Sequence, residues 1–195
     1  MRGSSGSFGI VTSIQVRTFA APPSATVFVY GWDLSAADAA HATLQFQNYV
    51  HTNIPQELGV QLIITRGSAS GRVSFALNGG WYAPAEQLTD VIAPFLAALP
   101  PPSSVSVQNG TYIDSVLILG TPAALNTSTA PDIRNTFYAK SLMTPEASPM
   151  TEEALNAFMS YLGNEGFTAD SVRFITSIYT SKPLYSIQSP HSNGS

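Results

Sequence analysis

Two kinds of residue in this sequence have the types and spacing to meet a ligand: glycines near its start and aromatic side chains along it. Gly6-Ser7-Phe8-Gly9-Ile10-Val11 sets glycines on either side of a phenylalanine. A glycine accepts positive φ and lets a backbone come close to a cofactor, so Gly6, Gly9, Ile10 and Val11 can cradle a ligand by their amides. The same residues suit an ordinary turn before an edge strand, and their spacing matches neither a dinucleotide fingerprint nor a phosphate loop. Trp32, Trp81, Tyr82, Tyr112 and Tyr138 offer flat apolar faces on which a sugar ring can stack, and equally suit the packing of a core and its hairpins.

Other chemistry has less behind it. Asp38 and His41 stand three apart on a helical stretch, but two donors do not make a metal site, and a solvated helix face accounts for them. Glu152 and Glu153 fall in a first helical turn, where acidic residues favour the dipole. No Gly-x-Ser-x-Gly elbow, His-Glu-x-x-His pair or Walker loop is present, which removes the usual hydrolase and nucleoside-triphosphatase readings. The chain has no cysteine, so disulfides, thiolate zinc sites and cysteine nucleophiles are excluded within it. Eight Lys and Arg against a net charge of −4 argue against a nucleic-acid partner. No apolar run approaches the roughly 20 residues of a membrane span, and the first residues show no charged segment leading into an apolar one, so neither a membrane anchor nor a signal peptide is expected. Asn109, Asn126 and Asn193 each begin an Asn-x-Ser/Thr sequon, compatible with secretion.

At 195 residues with 44% hydrophobic and 10% charged side chains, the chain is long enough for one cored α/β or α+β domain. Ile10, Ile14 and Val16 alternate as one face of a strand running to Phe19. Thr26 to Trp32, β-branched and aromatic after Pro22-Pro23, reads as a second strand paired with the first. Ser35 with Asp38 three positions later caps a helix that runs to about His51. Leu58 to Thr65 and Arg72 to Tyr82 read as a hairpin around the Gly67 to Gly71 turn. Leu88, Ile92, Phe95, Leu96 and Leu99 mark a second helix, stopped by Pro100-Pro101-Pro102. The order thus far is β-β-α-β-β-α. Val105 to Val107 suits a short strand, Tyr112 to Leu119 fits helix or strand equally, and Gly120 to Pro131 reads as a loop. Asn135 to Leu142 suits a strand, and Pro149 to Leu162 a third helix with Leu155, Phe158, Met159 and Leu162 on its apolar face.

Three of these stretches carry a resemblance. The run Gly6 to Phe19, the turn Gly79-Gly80-Trp81-Tyr82 and Phe137-Tyr138-Ala139-Lys140-Ser141-Leu142 resemble, in this order, motifs of berberine-bridge-enzyme-like oxidases of the vanillyl-alcohol-oxidase (PCMH-type) class, the fungal glucooligosaccharide oxidases most closely. The resemblance covers roughly residues 6 to 166 and implies an α+β fold: an antiparallel β-sheet with helices packed on one face and the other face turned to a flavin ring. It implies a division into residues 1–19 as the end of an FAD-binding domain, 20–166 as a substrate-binding domain and 167–195 as a divergent tail, with disorder expected beyond about Lys182.

By resemblance the parent is an FAD-linked oxidoreductase that oxidises a carbohydrate, such as an oligosaccharide, or a similar alcohol by hydride transfer to flavin, with oxygen as acceptor. The cofactor-binding residues implied here are Gly6, Gly9, Ile10 and Val11, and the substrate-binding ones Trp81, Tyr82 and Tyr138. The family's histidyl and cysteinyl flavin attachments precede the matched region, and after Gly166 the sequence departs from the expected strand and catalytic tyrosine. No catalytic residue is therefore assigned, the chain alone is expected to be inactive and free of flavin, and an uncovered sheet face, with aromatic and aliphatic side chains from the strands at residues 58–82, is expected to drive self-association. The alternative is a non-catalytic carbohydrate-binding or interaction module built on the same sheet.

Overall fold

A computed structural model of the chain describes residues 10, 12–13, 15–120, 147–165 and 173–177. Its centre is a five-stranded sheet of order β4-β1-β3-β2-β5, in which every neighbouring pair is antiparallel. The strands are β1 (Ala25–Ser35), β2 (Leu58–Arg66), β3 (Arg72–Trp81), β4 (Ser104–Gly110) and β5 (Arg173–Ser177). The helices are α1 (Ala36–Val50), α2 (Leu88–Leu96), α3 (Tyr112–Leu119) and α4 (Glu152–Asn164).

Alternation sorts the side chains of the sheet by face. Phe28, Trp32 and Leu34 of β1, Leu58, Val60, Leu62 and Ile64 of β2, and Val73, Phe75 and Leu77 of β3 are buried and share a face through the register Phe28↔Gly79, Trp32↔Phe75, Leu62↔Leu77 and Ile64↔Phe75. Phe46 of α1 and Leu155, Met159 and Leu162 of α4 close that core, and Phe95 of α2 meets Phe46 edge-on at 5.6 Å. Trp32 stands edge-on to Phe75 at 5.9 Å and donates its indole N–H to the Pro100 carbonyl at 2.8 Å, which fixes the proline run where α2 ends. Tyr49 donates to the Val91 carbonyl at 2.9 Å, and burial pushes its phenol up to about 12. A buried hydroxyl with a raised pKa lends stability that is full below its ordinary value of 10.0 and is lost as pH climbs through the folded one.

Local signals decided the helix starts. Ser35 accepts from the Asp38 amide at 3.1 Å. Thr111 and Asp114 form a reciprocal capping box, which settles the ambiguous stretch from Tyr112 as helix. Thr151 caps α4 ahead of Glu152 and Glu153 in its first turn.

One expectation fails. Residues 15–20 form no strand, and Ile10, Val16 and Phe19 are 94%, 70% and 57% exposed. The reason lies in the sheet: both edges of β1 are taken, one by β3 and the other by β4, so an earlier strand has no place beside it. At the other end, β5 pairs with the outer edge of β2, Leu62↔Thr176 and Ile64↔Phe174, so the sheet takes its fifth strand from beyond residue 166. The strand expected at Asn135 to Leu142, most of the loop from Gly120 to Pro131 and the residues beyond Lys182 lie outside the described residues.

Gly79 is the tight point of the core. A Cβ there would collide with the Phe28 ring and with the Gly59 carbonyl oxygen of β2, a backbone atom that cannot rotate away. We expect Gly79→Ala to destabilise the chain by about 1–3 kcal/mol, as overpacking of a filled core does. Urea unfolding followed by tryptophan fluorescence measures this, and an unchanged midpoint would show that Phe28 can move aside.

Candidate functional site

The second face of the sheet carries the residues that alternate with the core. Val29, Gly31 and Asp33 of β1 stand beside Asn78, Ala76 and Ser74 of β3, which stand beside Gln61, Ile63 and Thr65 of β2; Ser104, Ser106 and Gln108 extend the row on β4. Apart from Val29 and Ile63 the side chains are short or polar, and the β1, β2 and β3 members of these three rows are half-buried. Among the described side chains, the large apolar ones exposed on a strand are Val105 and Val107 of β4, 55% and 46% exposed, rather than any from residues 58–82.

One end of this second face is aromatic. Tyr82 follows Asn78 and Gly80 on the same side of the chain, and its ring lies across Gly80, where a Cβ would come within 2.9 Å of the phenol oxygen. Tyr112, in the first turn of α3, meets Tyr82 with ring centroids 6.0 Å apart and planes at 50°. Because α3 packs on β1 and β4, it closes that end of the second face, while α1 and α4 cover the first. The Tyr82 amide donates to the Glu57 carbonyl at 3.0 Å, which fixes the bend after β3.

Trp81 points the other way. It is 2% exposed in the core, and its indole N–H donates to the Pro84 carbonyl at 2.9 Å. It therefore sets the chain direction under Tyr82 rather than presenting a ring to solvent. Ile10 is exposed, whereas Gly6, Gly9, Val11 and Tyr138 lie outside the described residues.

Two polar atoms on the second face stand out. The Asn78 side-chain oxygen is buried without a hydrogen-bond partner among the described residues, in the middle of the sheet and two residues from Gly80. Asp33 Oδ1 is likewise buried and unpaired, while Oδ2 accepts from Ser68 Oγ at 2.8 Å and from Arg72 Nε at 3.3 Å. The Arg72 guanidinium also donates to the Asp33 carbonyl. A buried acceptor left unsatisfied costs of order 1–3 kcal/mol, so such atoms are retained where a ligand or water meets them. Sequence reading passed over both; the polar–apolar alternation of Arg72 to Tyr82 was the signal that puts Asn78 on the polar face. Elsewhere, Asp38 is bound to Ser35 at 2.6 Å and His41 lies beside Gln45 at 3.4 Å, and no group of three metal donors occurs among the described residues.

The Ser68 hydroxyl first, then the Arg72 guanidinium, hold the Asp33 carboxyl below its ordinary 3.8. A lowered carboxyl pKa lends stability present above 3.8 and lost as pH falls through the lower folded value. Ser68→Ala should raise the Asp33 pKa toward 3.8 and reduce stability at neutral pH, while the difference from wild type vanishes at acid pH below the folded value. The pair is over a third exposed, so the loss stays below about 1 kcal/mol. NMR titration of the carboxyl with urea unfolding at both pH values tests this.

Comparison with known proteins places this geometry. No family model matches the chain. It is 28% identical to the glucooligosaccharide oxidase of Sarocladium strictum over 167 residues, covering 83% of this chain and 31% of that protein. It is 28% identical to the xylooligosaccharide oxidase of Thermothelomyces thermophilus over 152 residues, covering 76% of this chain and 29% of that protein. Among solved structures it superposes on berberine-bridge-enzyme-like 1 of Physcomitrella patens with a TM-score of 0.68 and 23% identity, covering 89% of this chain and 36% of that one. The chain spans about a third of the length of the curated relatives it matches. In sequence this chain is similar to FAD-linked oligosaccharide oxidases, and in fold to part of the berberine-bridge-enzyme-like, PCMH-type flavoproteins, as its own motifs imply.

Proposed function

We propose that the second face of this sheet is the substrate platform of an FAD-dependent oxidase acting on a carbohydrate, an oligosaccharide in particular. The observation that carries this is the meeting of an aromatic pair, Tyr82 and Tyr112, with an unsatisfied acceptor, Asn78, on one polar face. Sugars are recognised by such a combination, an aromatic ring against their C–H face and polar atoms for their hydroxyls. Tyr82 offers the ring, the Asn78 oxygen accepts from a sugar hydroxyl, and Trp81 with Pro84 holds Tyr82 in place from behind. Tyr138 belongs to the same proposal as a further substrate contact.

The short Ser74 and Ala76 side chains at the centre of this face, away from the Tyr82 ring over Gly80, suit a flat group, so the sheet fits one wall of a flavin site. The flavin of a full-length parent would take the hydride from the sugar carbon. Gly6, Gly9, Ile10 and Val11 are proposed as backbone contacts to FAD, and the exposed Ile10 side chain is compatible with a further surface there. With no cysteine the chain supplies no cysteinyl anchor for a flavin, and by itself it is proposed to hold no FAD and to be inactive. A full-length parent is proposed to be secreted.

Gly80→Ala is the selective test. The three atoms nearest its Cβ all belong to the far end of the Tyr82 side chain, so the ring is displaced while the sheet stays folded. We expect cello-, xylo- or chito-oligosaccharides to perturb the NMR signals of Tyr82, Tyr112 and Asn78 in the wild-type chain, and Gly80→Ala and Tyr82→Ala to weaken binding at least tenfold with unchanged circular dichroism. Flavin absorbance of the purified protein is read alongside. Sugar binding without flavin even in a reconstituted full-length parent would favour the non-catalytic module; no perturbation by any sugar would remove the platform.

Self-association belongs to this proposal as well. Val105 and Val107 lie on the first face of the edge strand β4, which has no charged residue to discourage pairing with another strand. In chain made by a bacterial host, Val107→Lys should shift sedimentation from dimer or larger to monomer. A wild-type chain that is monomeric at millimolar concentration would refute it.

A further inference from the structure

Asn109 sits near the end of β4 in the sequence Asn109-Gly110-Thr111. It is exposed. Its register with Thr26 puts it on the same side of β4 as Val105 and Val107, since Val107 pairs with Phe28. The Asn109 side-chain oxygen accepts from Thr26 Oγ1 at 2.9 Å. That contact pins the carbonyl end of the amide and leaves Nδ2, the atom a glycan is attached to, without a partner among the described residues. Thr111, which completes the sequon, then closes the capping box of α3. The motif alone is common; here it falls on β4, whose outer side pairs with no strand among the described residues, beside two exposed valines.

We propose that Asn109 is an N-glycosylation site and that its glycan covers the exposed Val105–Val107 stripe of β4. In the transfer, Nδ2 displaces a polyprenyl diphosphate from C1 of the donor oligosaccharide. The N–C1 bond forms, the C1–O bond breaks with its electron pair leaving on the diphosphate, and one amide proton passes to a base. The reaction takes place on the extended chain during its entry to the secretory route. The fold then decides whether the product is tolerated, and Asn109 is exposed with no described residue bonded to Nδ2. Successive same-side residues on a strand are about 6.6 Å apart, so the first sugars on Asn109 lie within reach of Val107 and then Val105. A bulky, hydrated group on an edge strand also blocks the approach of a second strand.

The inference rests on entry to the secretory route, which the experiment supplies. The full chain is secreted from yeast behind a cleavable leader, and the peptide containing Asn109 is read by mass spectrometry before and after peptide N-glycosidase, which converts a glycosylated Asn to Asp. Expected is occupancy of most chains at Asn109, abolished by Asn109→Gln, abolished by Thr111→Val and kept by Thr111→Ser. Binding of a hydrophobic dye should rise severalfold when the glycan is removed, and Val105→Thr with Val107→Thr should cancel that rise. Should export be poor, translation in the presence of endoplasmic-reticulum microsomes reads the same peptide. An Asn109 peptide that stays unmodified in translocated chain overturns the site, and dye binding indifferent to the glycan overturns its covering role.

Discussion

The structure depends on two adjacent glycines in its central strand. Gly79 and Gly80 point to opposite faces of β3, and each leaves room for a ring: Phe28 lies against Gly79 on the helix-covered side, and Tyr82 lies across Gly80 on the other. Side-chain alternation means that one residue can serve only one face. A single glycine would therefore have allowed either the core to close or the aromatic end of the site to form. The two in sequence allow both, at the entropic cost that glycine carries in a strand. Phe28 is fully buried as a result, and β1 and β2 can flank β3 closely enough for the Gly59 carbonyl to face Gly79.

From this point the two faces diverge in what they do. The first is closed by α1 and α4 with Leu, Ile, Phe and Met side chains and supplies the burial that holds the sheet together. The second is lined by Asn78, Gln61, Ser74, Thr65 and Asp33, which contribute little burial. It keeps two buried oxygens without partners, on Asn78 and Asp33. A chain selected for stability alone would have satisfied or removed them. Their separation along the face is informative as well. Asp33 lies at the α1 end with Ser68 and Arg72, tied into a network that steadies the β2–β3 turn, whereas Asn78 lies toward Tyr82 and has no such structural task.

The core was legible in the sequence because it follows from periodicity. Arg72 to Tyr82 alternates, α1 and α4 repeat at helical spacing, and Ser35 and Asp38 announce a helix start that the structure reproduces. Tyr112 to Leu119 was ambiguous because apolar residues fill all its faces; the capping box at Thr111 decides it, a local hydrogen-bond signal that a periodicity count does not contain. The expected strand before Phe19 failed for a different reason. Its residues have the right alternation, but strand formation needs a free edge, and β4, arriving some 80 residues later in the chain, takes the one beside β1. Pairing partners at that separation are invisible to a local reading.

The site was legible in part, for related reasons. Aromatic residue types pointed to sugar stacking, but a type does not say which face it occupies. Trp81 and Tyr82 are neighbours in sequence and opposites in the fold: the first is locked to Pro84 in the core, the second lies on the polar face against Tyr112. Asn78 drew no attention as an isolated asparagine in a strand. It becomes informative once the register shows it buried between Val29 and Gln61, since an amide oxygen held dry and unpaired there is costly unless something else completes it. The physical criterion for a binding face is thus a conjunction: a polar row that the core does not need, an aromatic ring held from behind, and an acceptor awaiting a donor. The second face of this sheet meets all three within two residues on either side of Gly80.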